Sequence, residues 1–457
     1  WFSGVSSLNA WDYGFFCALM GLMFFMGWYF GREEIDTADF FLGAQRIPWG
    51  VACLSFIATE ISAMTVVGVP AVAFRENWNY LQFFIGSAAS RVVVAFLFIP
   101  AFYHYRCTTI YEFLRHRFGP RTQLCATCFF FLTRLLASGV RLMAGSLAVA
   151  VLFGWHVAPV IALFTLTGML YIGHGGIKAV VWTNVLQALT FLAAGAATVV
   201  FVVMSVAGGA AAIWSAAQGA GRLQVWNWGP SPGDAQFARK FLTDPNIVWV
   251  AVFNGFFTSM AAFGTDHEMM QKLLTVETRA QSQRTLLWSI AGSGLVTVLF
   301  LAVGTCLYSF YQLNPGLPLP GKLDTIYPHF AAMVMPDLLR GLVLSAIVMA
   351  GIDSPLASLS AVWVTDIYRP LIRPGADESH YLKASRRSVA VFGILLGAIA
   401  YYFSFFDKML WLAFKIGGVT FGSLLGVFLF GLLTKRPADR ANVAAMLGMA
   451  AVNAALL

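Results

Sequence analysis

Long apolar segments fill almost the whole chain and alternate with short polar ones. Most hold about 20 residues, the length that an α-helix needs to cross the hydrocarbon core of a bilayer. The pattern therefore predicts a polytopic helical membrane protein with twelve spans. Their ranges are 11–31, 48–74, 79–104, 121–154, 157–174, 179–206, 246–272, 285–312, 337–367, 385–406, 409–433 and 440–457.

Composition indicates one helical bundle within a lipid bilayer. Of the 457 residues, 59% are hydrophobic and only 11% are charged, whereas a soluble protein carries roughly 25% charged residues. Because the chain does not begin with Met and its last apolar stretch stops at Leu457, we expect both ends to be trimmed. We predict a single transporter domain, 1–457, that consists of a leading helix and loop (1–47), five spans (48–206), an outer loop (207–245), five more spans (246–433) and a trailing helix (434–457).

The positive charges are distributed unevenly between the two sides. If the loop at 31–47 is inside, the inner loops hold 18 of the 29 Lys and Arg residues and the outer loops hold 6. Inner loops are usually the ones rich in Lys and Arg. We therefore predict a multi-pass protein of the cell (inner or plasma) membrane with its N-terminus outside. The net charge of +8 follows from this bias and does not indicate nucleic-acid binding.

Several ionisable residues lie in the middle of predicted spans. Each costs about 2.5–3.5 kcal/mol in hydrocarbon, so such residues normally line a polar pathway or site. This pattern predicts a protein that moves a polar solute across the membrane. No nucleophile and base are arranged as in an enzyme, and no organic cofactor is indicated. The residues are Glu60, Arg91, Arg134, Arg141, Asp353 and Lys415.

The spans divide into two sets of five after the first one. An odd number of spans per set gives the two sets opposite orientations, as in transporters that consist of inverted repeats with broken helices at the membrane midplane. The second span is polar at its middle and is followed by Gly68 and Pro70, and residues 263–268 interrupt the seventh span. We predict that these two helices are broken and expose backbone groups to an ion or solute.

Three motifs resemble the sodium/solute symporter family, which includes sodium–glucose and sialic acid symporters. They are Asp39-Phe-Phe-Leu-Gly, Gly175-Gly-Ile-Lys-Ala-Val-Val-Trp-Thr-Asn184 and Thr365-Asp-Ile-Tyr368, and they occur in the family's order. The resemblance runs from about residue 9 to residue 440. It implies a leucine-transporter-like 5+5 inverted repeat with additional flanking helices, and alternating access driven by an ion gradient.

The resemblance also implies sodium ligands. Carbonyls of Ala58 and Ile61 on the second span, and of Ile347 on the ninth, would hold one sodium ion. The family places two adjacent serines nearby, where this chain has Ala350 and Gly351. Sodium prefers several hard oxygen ligands, by the same logic as other hard cations, so this site loses two hydroxyls.

Some family members have a second sodium site that uses an aspartate of the sixth span. That position is Asn184 here, and the facing positions on the ninth span are Asp353 and Ser354. Sodium held by these three residues is one interpretation. A proton carried by Asp353 or Glu60 is another, since burial favours the neutral carboxyl.

The second span also carries candidate solute ligands. Glu60 lies between the two expected carbonyl ligands and would bind solute or assist the cation; the alternative is an ion pair with Arg141 or Arg91, because an unpaired buried charge is very costly. Ser62 and Thr65 match substrate-contacting positions of sialic-acid-type relatives. Packing between helices would equally explain small hydroxyl residues.

The intramembrane cations point to the charge of the solute. Arg134 and Arg141 are seven residues apart on the fourth span and so lie on nearly one face, and Arg91 is on the third. A guanidinium grips a carboxylate with two parallel hydrogen bonds. With Lys415, these cations outnumber the mid-span carboxylates, which favours an anionic solute such as a sugar acid. The alternative is that they pair with Glu60 or Asp353.

Sugar-transporting relatives place a gating tyrosine at the break of the seventh span. That position is Ala262 here, followed by Phe263, so an aromatic face would come from Phe263 or from Trp182 or Phe421. Thr420 on the eleventh span is a further candidate. The sequence thus predicts a secondary transporter that imports a small hydrophilic solute (a sugar, a sugar acid or another organic anion) with sodium. The alternatives are a proton-coupled or uncoupled carrier, or a transporter-like input domain of a sensor.

Overall fold

The structure, a computed structural model, is helical, with no strand among the residues it describes. These are residues 9–456 except 33–34, 62, 154, 232, 234–236, 238, 240, 242–243, 245, 322, 353–354 and 406–408. The helices are α1 Ala10–Phe30, α2 Thr37–Leu42, α3 Trp49–Glu60, α4 Ala63–Arg75, α5 Tyr80–Val93, α6 Ile99–His104, α7 Ile110–Arg117, α8 Pro120–Phe153, α9 Val157–Ser205, α10 Gly209–Gly219, α11 Val248–Gly264, α12 His267–Leu274, α13 Arg279–Leu313, α14 Ile326–Val334, α15 Leu339–Ile352, α16 Leu356–Val362, α17 Glu378–Phe403, α18 Met409–Leu433 and α19 Asp439–Leu456. Wider π-helical turns join α5 to α6 and extend α16 to Ile372.

The helices match the predicted spans. Seven described helices are long and apolar enough to cross a membrane, and two bent pairs could each be one further span: Thr37–Gln45 with Trp49–Glu60, and Val248–Gly264 with His267–Leu274. Helix α9 covers both the fifth and the sixth predicted span, and the total of twelve spans stays a prediction. Helix α10 lies within the predicted outer loop, and its Trp214 is exposed. Which end of the chain lies outside stays a prediction.

The second span is broken where the sequence predicts it. Helix α3 ends at Glu60, and Ile61 has an extended backbone with φ −79° and ψ 108°. Helix α4 resumes at Ala63 and contains Pro70. The N–H of Ile61 still donates to the carbonyl oxygen of Ile57 at 3.0 Å and so completes the last turn of α3, but the chain leaves the helical conformation at Ile61 itself. The polar centre of the span is therefore a real interruption.

The seventh span is broken as well, by a specific capping residue. Helix α11 ends at Gly264 and α12 begins at His267, with a bend of 63° between the two. Asp266 is the N-cap of α12, and its carboxylate accepts a hydrogen bond of 2.9 Å from the backbone N–H of Glu268. Aspartate is a preferred N-cap because its side chain satisfies one of the unpaired N–H groups of the first turn. Residues 263–268 thus contain the end of one helix and the capped start of the next, which runs in a different direction.

The fifth and sixth spans meet at one glycine. Within α9, Gly176 alone has a non-helical backbone, with φ 49° and ψ −140°. A Cβ atom at this position would lie 2.4 Å from the carbonyl oxygen of Phe40, a residue of α2. Only glycine combines this backbone geometry with so close a neighbour. The turn between the two spans is therefore fixed against the loop that precedes the second span.

The helices pack in two sets. In the first set, α11 packs on α5, and α13 packs on α3 and α4. In the second set, α8 contacts α15, α17 and α18, and α9 contacts α15 and α17. Helix α9 also contacts α3, which brings the two sets together at the broken second span.

The leading helix α1 is attached to the second set at both of its ends. Asp12 is buried and accepts a hydrogen bond of 2.8 Å from Nε of Arg340, at the start of α15. Near the other end, Phe30 stacks on Trp182 of α9, with 4.1 Å between the ring centroids. Trp182, expected to offer an aromatic face to solute, therefore faces the leading helix on this side.

Candidate functional site

Glu60 and Arg91 form an ion pair beside the break of the second span. Nη2 of Arg91 lies 2.5 Å from Oε1 of Glu60. Arg91 also donates to Ser289 Oγ at 2.8 Å and to Ser293 Oγ at 3.1 Å, and Ser293 donates to Oε2 of Glu60 at 2.5 Å. The ion pair with Arg91, one of the alternatives that the sequence leaves open for Glu60, is present, and a role of Glu60 in binding solute or cation stays a prediction.

The two partners differ in their exposure. The side chain of Arg91 is 0% exposed, whereas that of Glu60 is 25% exposed. The guanidinium lies over the ring of Phe263, 4.7 Å from its centroid, and Phe263 in turn packs against Phe56. Cations are attracted to the faces of aromatic rings. Arg91 is thus enclosed by α3, α11 and α13, and the accessible part of the pair is the carboxylate of Glu60.

Asn184 lies against the same helix, one turn away from the break. Its Nδ2 donates to Oγ of Ser55 at 3.1 Å and to Oγ1 of Thr59 at 3.0 Å, and the carbonyl oxygen of Ser55 is 3.5 Å away. All three residues are buried. The amide therefore joins α9 to α3 and meets three oxygen atoms where the resemblance would place a sodium-binding aspartate.

The residues expected to hold sodium on the ninth span are only partly described. Ile347 and Ala350 are buried in the last turns of α15. Asp353 and Ser354 lie outside the described residues, as does Ser62 on the second span. Ala58 is buried in the last turn of α3, and Ile61 follows directly at the break. The structure therefore leaves the full ligand set untested.

The space beside Ala350 is filled by a neighbouring helix. A Cβ atom built on Gly145 of α8 would lie only 2.7 Å from Cα of Gly351. Such a distance between Cβ and a backbone atom requires a shift of the chain. Two helices approach this closely only where both have small residues. Position 351, where the resemblance implies a serine, is therefore a point of close packing between α8 and α15.

Arg134 joins α8 to the break of the seventh span. It forms short ion pairs with both Asp266 and Glu268, and all three side chains are buried. Lys272, one turn further along α12, has its Nζ 3.9 Å from Oε1 of Glu268. Arg141 also interacts electrostatically with Glu268 and is itself partly exposed. The seven-residue spacing on α8 thus places both arginines near the acidic residues of α12.

The remaining candidate solute ligands differ in their exposure to solvent. Thr65 is partly exposed on α4, in the stretch that follows Glu60. Thr420 is buried and forms a short hydrogen bond with Thr133 of α8. Phe263 is buried against Arg91. The structure therefore brings Glu60, Arg91 and Phe263 together in one cluster and joins Thr420 to α8.

Lys415 belongs to α18, but the side chain of Lys415 is outside the described part of the chain.

Sequence reasoning missed four polar side chains of this site. Ser289 and Ser293 on α13 hold Arg91, and Ser55 and Thr59 on α3 hold Asn184. In each pair the residues are four apart and so share one face of a helix. A hydroxyl pair at this spacing within an apolar span is a signal that the sequence does contain.

With this geometry established, comparison with known proteins identifies the family. The model of the sodium:solute symporter family matches residues 40–450. The chain belongs to this family. It is therefore a solute transporter and not an enzyme, as the sequence motifs indicate.

Relatives and solved structures agree with this assignment. The chain is 28% identical to the sodium/sialic acid symporter SiaT of Proteus mirabilis over 462 residues, which covers 97% of the chain and 90% of the relative. It is 26% identical to the human sodium-coupled monocarboxylate transporter 1 over 440 residues, covering 94% and 70%. A solved substrate-bound, outward-open Na+-coupled sialic acid symporter has a TM-score of 0.82, 22% identity and 98% coverage of both chains. This likeness confirms the predicted fold class.

Proposed function

We propose that this protein imports a small organic anion, of the carboxylate or sugar-acid class, together with sodium. The observation that carries the proposal is a match to a sodium:solute symporter model over residues 40–450, with cationic side chains inside the spans. The names of similar proteins add support: they are symporters of sialic acid, monocarboxylates and iodide, and these solutes are all anions. The membrane would be the cell membrane, with the N-terminus outside.

The roles within the solute site follow from exposure. Arg141 is the cation suited to the carboxylate of the solute, because it is partly exposed, whereas Arg91 and Arg134 are buried. Glu60, Ser62 and Thr65 would accept or donate hydrogen bonds to the solute's hydroxyl or amide groups. Arg91 is completely enclosed, so it would act by holding Glu60 in place.

Sodium would bind beside the broken second span. The backbone carbonyls of Ala58, Ile61 and Ile347 would supply part of the ligand set, and Asp353 and Ser354 would supply the rest. Asn184 would contribute through Ser55 and Thr59, which it orients. The missing hydroxyls at Ala350 and Gly351 make a carboxylate ligand more important, since a hard cation needs several oxygen atoms.

The test is solute binding by the purified protein in sodium and in choline buffers. Thermal unfolding would be followed against sugar acids, short carboxylates, neutral sugars, polyols and amino acids. A ligand at 100 times its dissociation constant stabilises by ~2.7 kcal/mol. Stabilisation by an acid only in sodium supports the proposal, and Arg141→Gln should abolish it while Arg340→Gln, far from the site, should keep it. Stabilisation by neutral solutes alone would overturn the anion assignment.

A second candidate function is uncoupled or proton-coupled transport by the same site. It is favoured by Ala350 and by the close packing of Gly351 against Gly145. Uptake into proteoliposomes distinguishes the two candidates. Uptake driven by an inward sodium gradient supports sodium symport, uptake driven by an inward proton gradient supports proton symport, and equilibration without either gradient supports an uncoupled carrier.

A further inference from the structure

The ion pairs of Arg134 cross from one set of helices to the other. Arg134 belongs to α8, which packs with α15, α17 and α18. Asp266 and Glu268 belong to the break between α11 and α12, and α11 packs with α5. By the predicted topology, α11 runs from outside to inside, so this connection lies on the inner side of Glu60. If solute binds at Glu60, as proposed above, this connection would lie between the solute site and the interior.

The connection is difficult to break one partner at a time because it is buried. Arg134, Asp266 and Glu268 are all almost fully inaccessible to solvent. Removal of one partner from a buried ion pair leaves an uncompensated charge, which is strongly unfavourable. The two sets of helices therefore cannot separate at this point unless water enters and hydrates all three groups together. Tyr111 reinforces the closure, because its hydroxyl donates to the carbonyl oxygen of Thr265 at 3.0 Å.

Several buried side-chain atoms of this cluster have no hydrogen-bond partner; they include Nε of Arg134 and the carboxylate oxygens of Glu268, which has ion pairs instead, and the two ring nitrogens of His267. His267 is 0% exposed, and neither of its ring nitrogens has a hydrogen-bond partner. The ring is surrounded by Tyr111 and Phe130, at centroid distances of 6.5 Å and 6.4 Å. A buried polar group without a partner is unfavourable, and water would satisfy both nitrogens if the cluster opened. Closure is thus stabilised by the ion pairs and disfavoured by His267.

We infer that the ion pairs of Arg134 with Asp266 and Glu268 hold the inner gate closed, and we call these three residues the latch. We also infer that His267 destabilises the closed state and so makes the gate easier to open. The inference rests on the proposed transport function. Arg134 holds the seventh span against α8 while the solute site is closed to the interior. Opening breaks both ion pairs in one step and exposes His267 to water. Fully satisfied polar groups in the closed gate would make it slower to open.

The latch can be tested without knowledge of the solute. Thr265 is completely buried, and its hydroxyl bonds only to the carbonyl of Ala261 in its own helix, so Thr265→Cys is a conservative reporter. In a background lacking the six native cysteines, its reaction with a membrane-impermeant maleimide would be compared in inside-out and right-side-out vesicles. The minor state of such an equilibrium is typically populated at ~0.1–10%, which leaves room for a large increase.

Opposite effects are expected from two kinds of variant. Arg134→Gln should raise labelling by at least roughly tenfold, in inside-out vesicles only, and Arg134→Lys should restore part of the closure. His267→Phe and His267→Leu should lower labelling, because they remove the unpartnered nitrogens. A variant that merely unfolds the protein would raise labelling in both kinds of vesicle.

The matched control is Arg340→Gln, which breaks another buried pair, with Asp12, away from the cluster. It should leave labelling unchanged. The inference is overturned if Arg134→Gln has no effect, if Arg134 and His267 variants change labelling in the same direction, or if Arg340→Gln gives an equal rise. Solute uptake by the unmodified protein is measured separately, so failure of the latch leaves the transport proposal standing.

Discussion

Arg91 donates from Nη2 to Oε1 of Glu60 across 2.5 Å, and the two side chains are 0% and 25% exposed. This inequality has an energetic consequence. Glu60, if left alone, has access to water or to a proton, whereas Arg91 has neither, because a guanidinium does not lose its proton in proteins. Loss of the partner should therefore be more unfavourable for Arg91 than for Glu60.

The first prediction concerns this asymmetry. Glu60→Leu should destabilise the protein by ~3–5 kcal/mol, because it leaves a buried cation without its partner. Arg91→Met should cost less, about 1–3 kcal/mol, since the remaining carboxylate is partly exposed. The double variant should be close to the wild type in stability, as an apolar pair often replaces a buried ion pair without loss. Unfolding curves of the four proteins in mixed micelles would measure these differences.

Ser289→Ala is the control for this double-mutant cycle. It removes one hydrogen bond of Arg91 and leaves the charges unchanged, so it should cost roughly 1 kcal/mol. Equal losses for the two single charge variants, or strictly additive losses in the double variant, would show that the ion pair does not control stability here.

The second prediction concerns the amide of Asn184. Asn184→Asp replaces a donor by an anion next to Oγ of Ser55 and Oγ1 of Thr59. In choline buffer the variant should be less stable than the wild type, because the new carboxylate is a buried charge whose nearest partners, the hydroxyls of Ser55 and Thr59, are uncharged. Sodium should restore stability, since a carboxylate and two hydroxyls are hard ligands. Thermal unfolding against sodium concentration should therefore show a larger shift than in the wild type.

Asn184→Ala distinguishes this sodium effect from a simple loss of packing. It removes the same hydrogen bonds but adds no carboxylate, so its stability should be lowered in both buffers and sodium should not restore it. A sodium response in Asn184→Ala as large as in Asn184→Asp would contradict the explanation.

The third prediction concerns the contact between α8 and α15. Gly145→Ala should cost at least about 1–3 kcal/mol through overpacking, because its Cβ would lie 2.7 Å from Cα of Gly351. Gly351→Ser, which restores a family hydroxyl, places its Cβ 3.1 Å from Cα of Gly145 and should also be destabilising. Gly68→Ala is the control, since no atom lies within 4 Å of its Cβ. Thermal unfolding should rank the three in this order.

The fourth prediction concerns the turn within α9. Gly176→Ala should lose at least about 1–3 kcal/mol, because the backbone there belongs to a region that suits glycine and the new Cβ would lie 2.4 Å from the carbonyl oxygen of Phe40. Gly173→Ala, three residues earlier, would meet its nearest atom at an ordinary 3.7 Å. It should therefore be neutral, and equal losses in the two variants would contradict the turn geometry.

The sequence by itself determined the architecture. Apolar length specified the spans, because hydrocarbon demands that each backbone polar group be bonded within a helix. Polar residues at 55–65 and 263–268 located both broken helices for the same reason, and three motifs located the family. These are local properties of consecutive residues, so they can be read without knowledge of the neighbours.

Only the tertiary structure decided which intramembrane charges are partners. Arg91 could have faced solute or Glu60, and Arg134 could have served solute or an acidic residue. The choice depends on residues far apart in the chain: Ser289 and Ser293 complete the first cluster, and Asp266 and Glu268 complete the second. A buried charge requires a partner at hydrogen-bonding distance. That distance is set by how separate helices pack, which periodicity and composition do not contain.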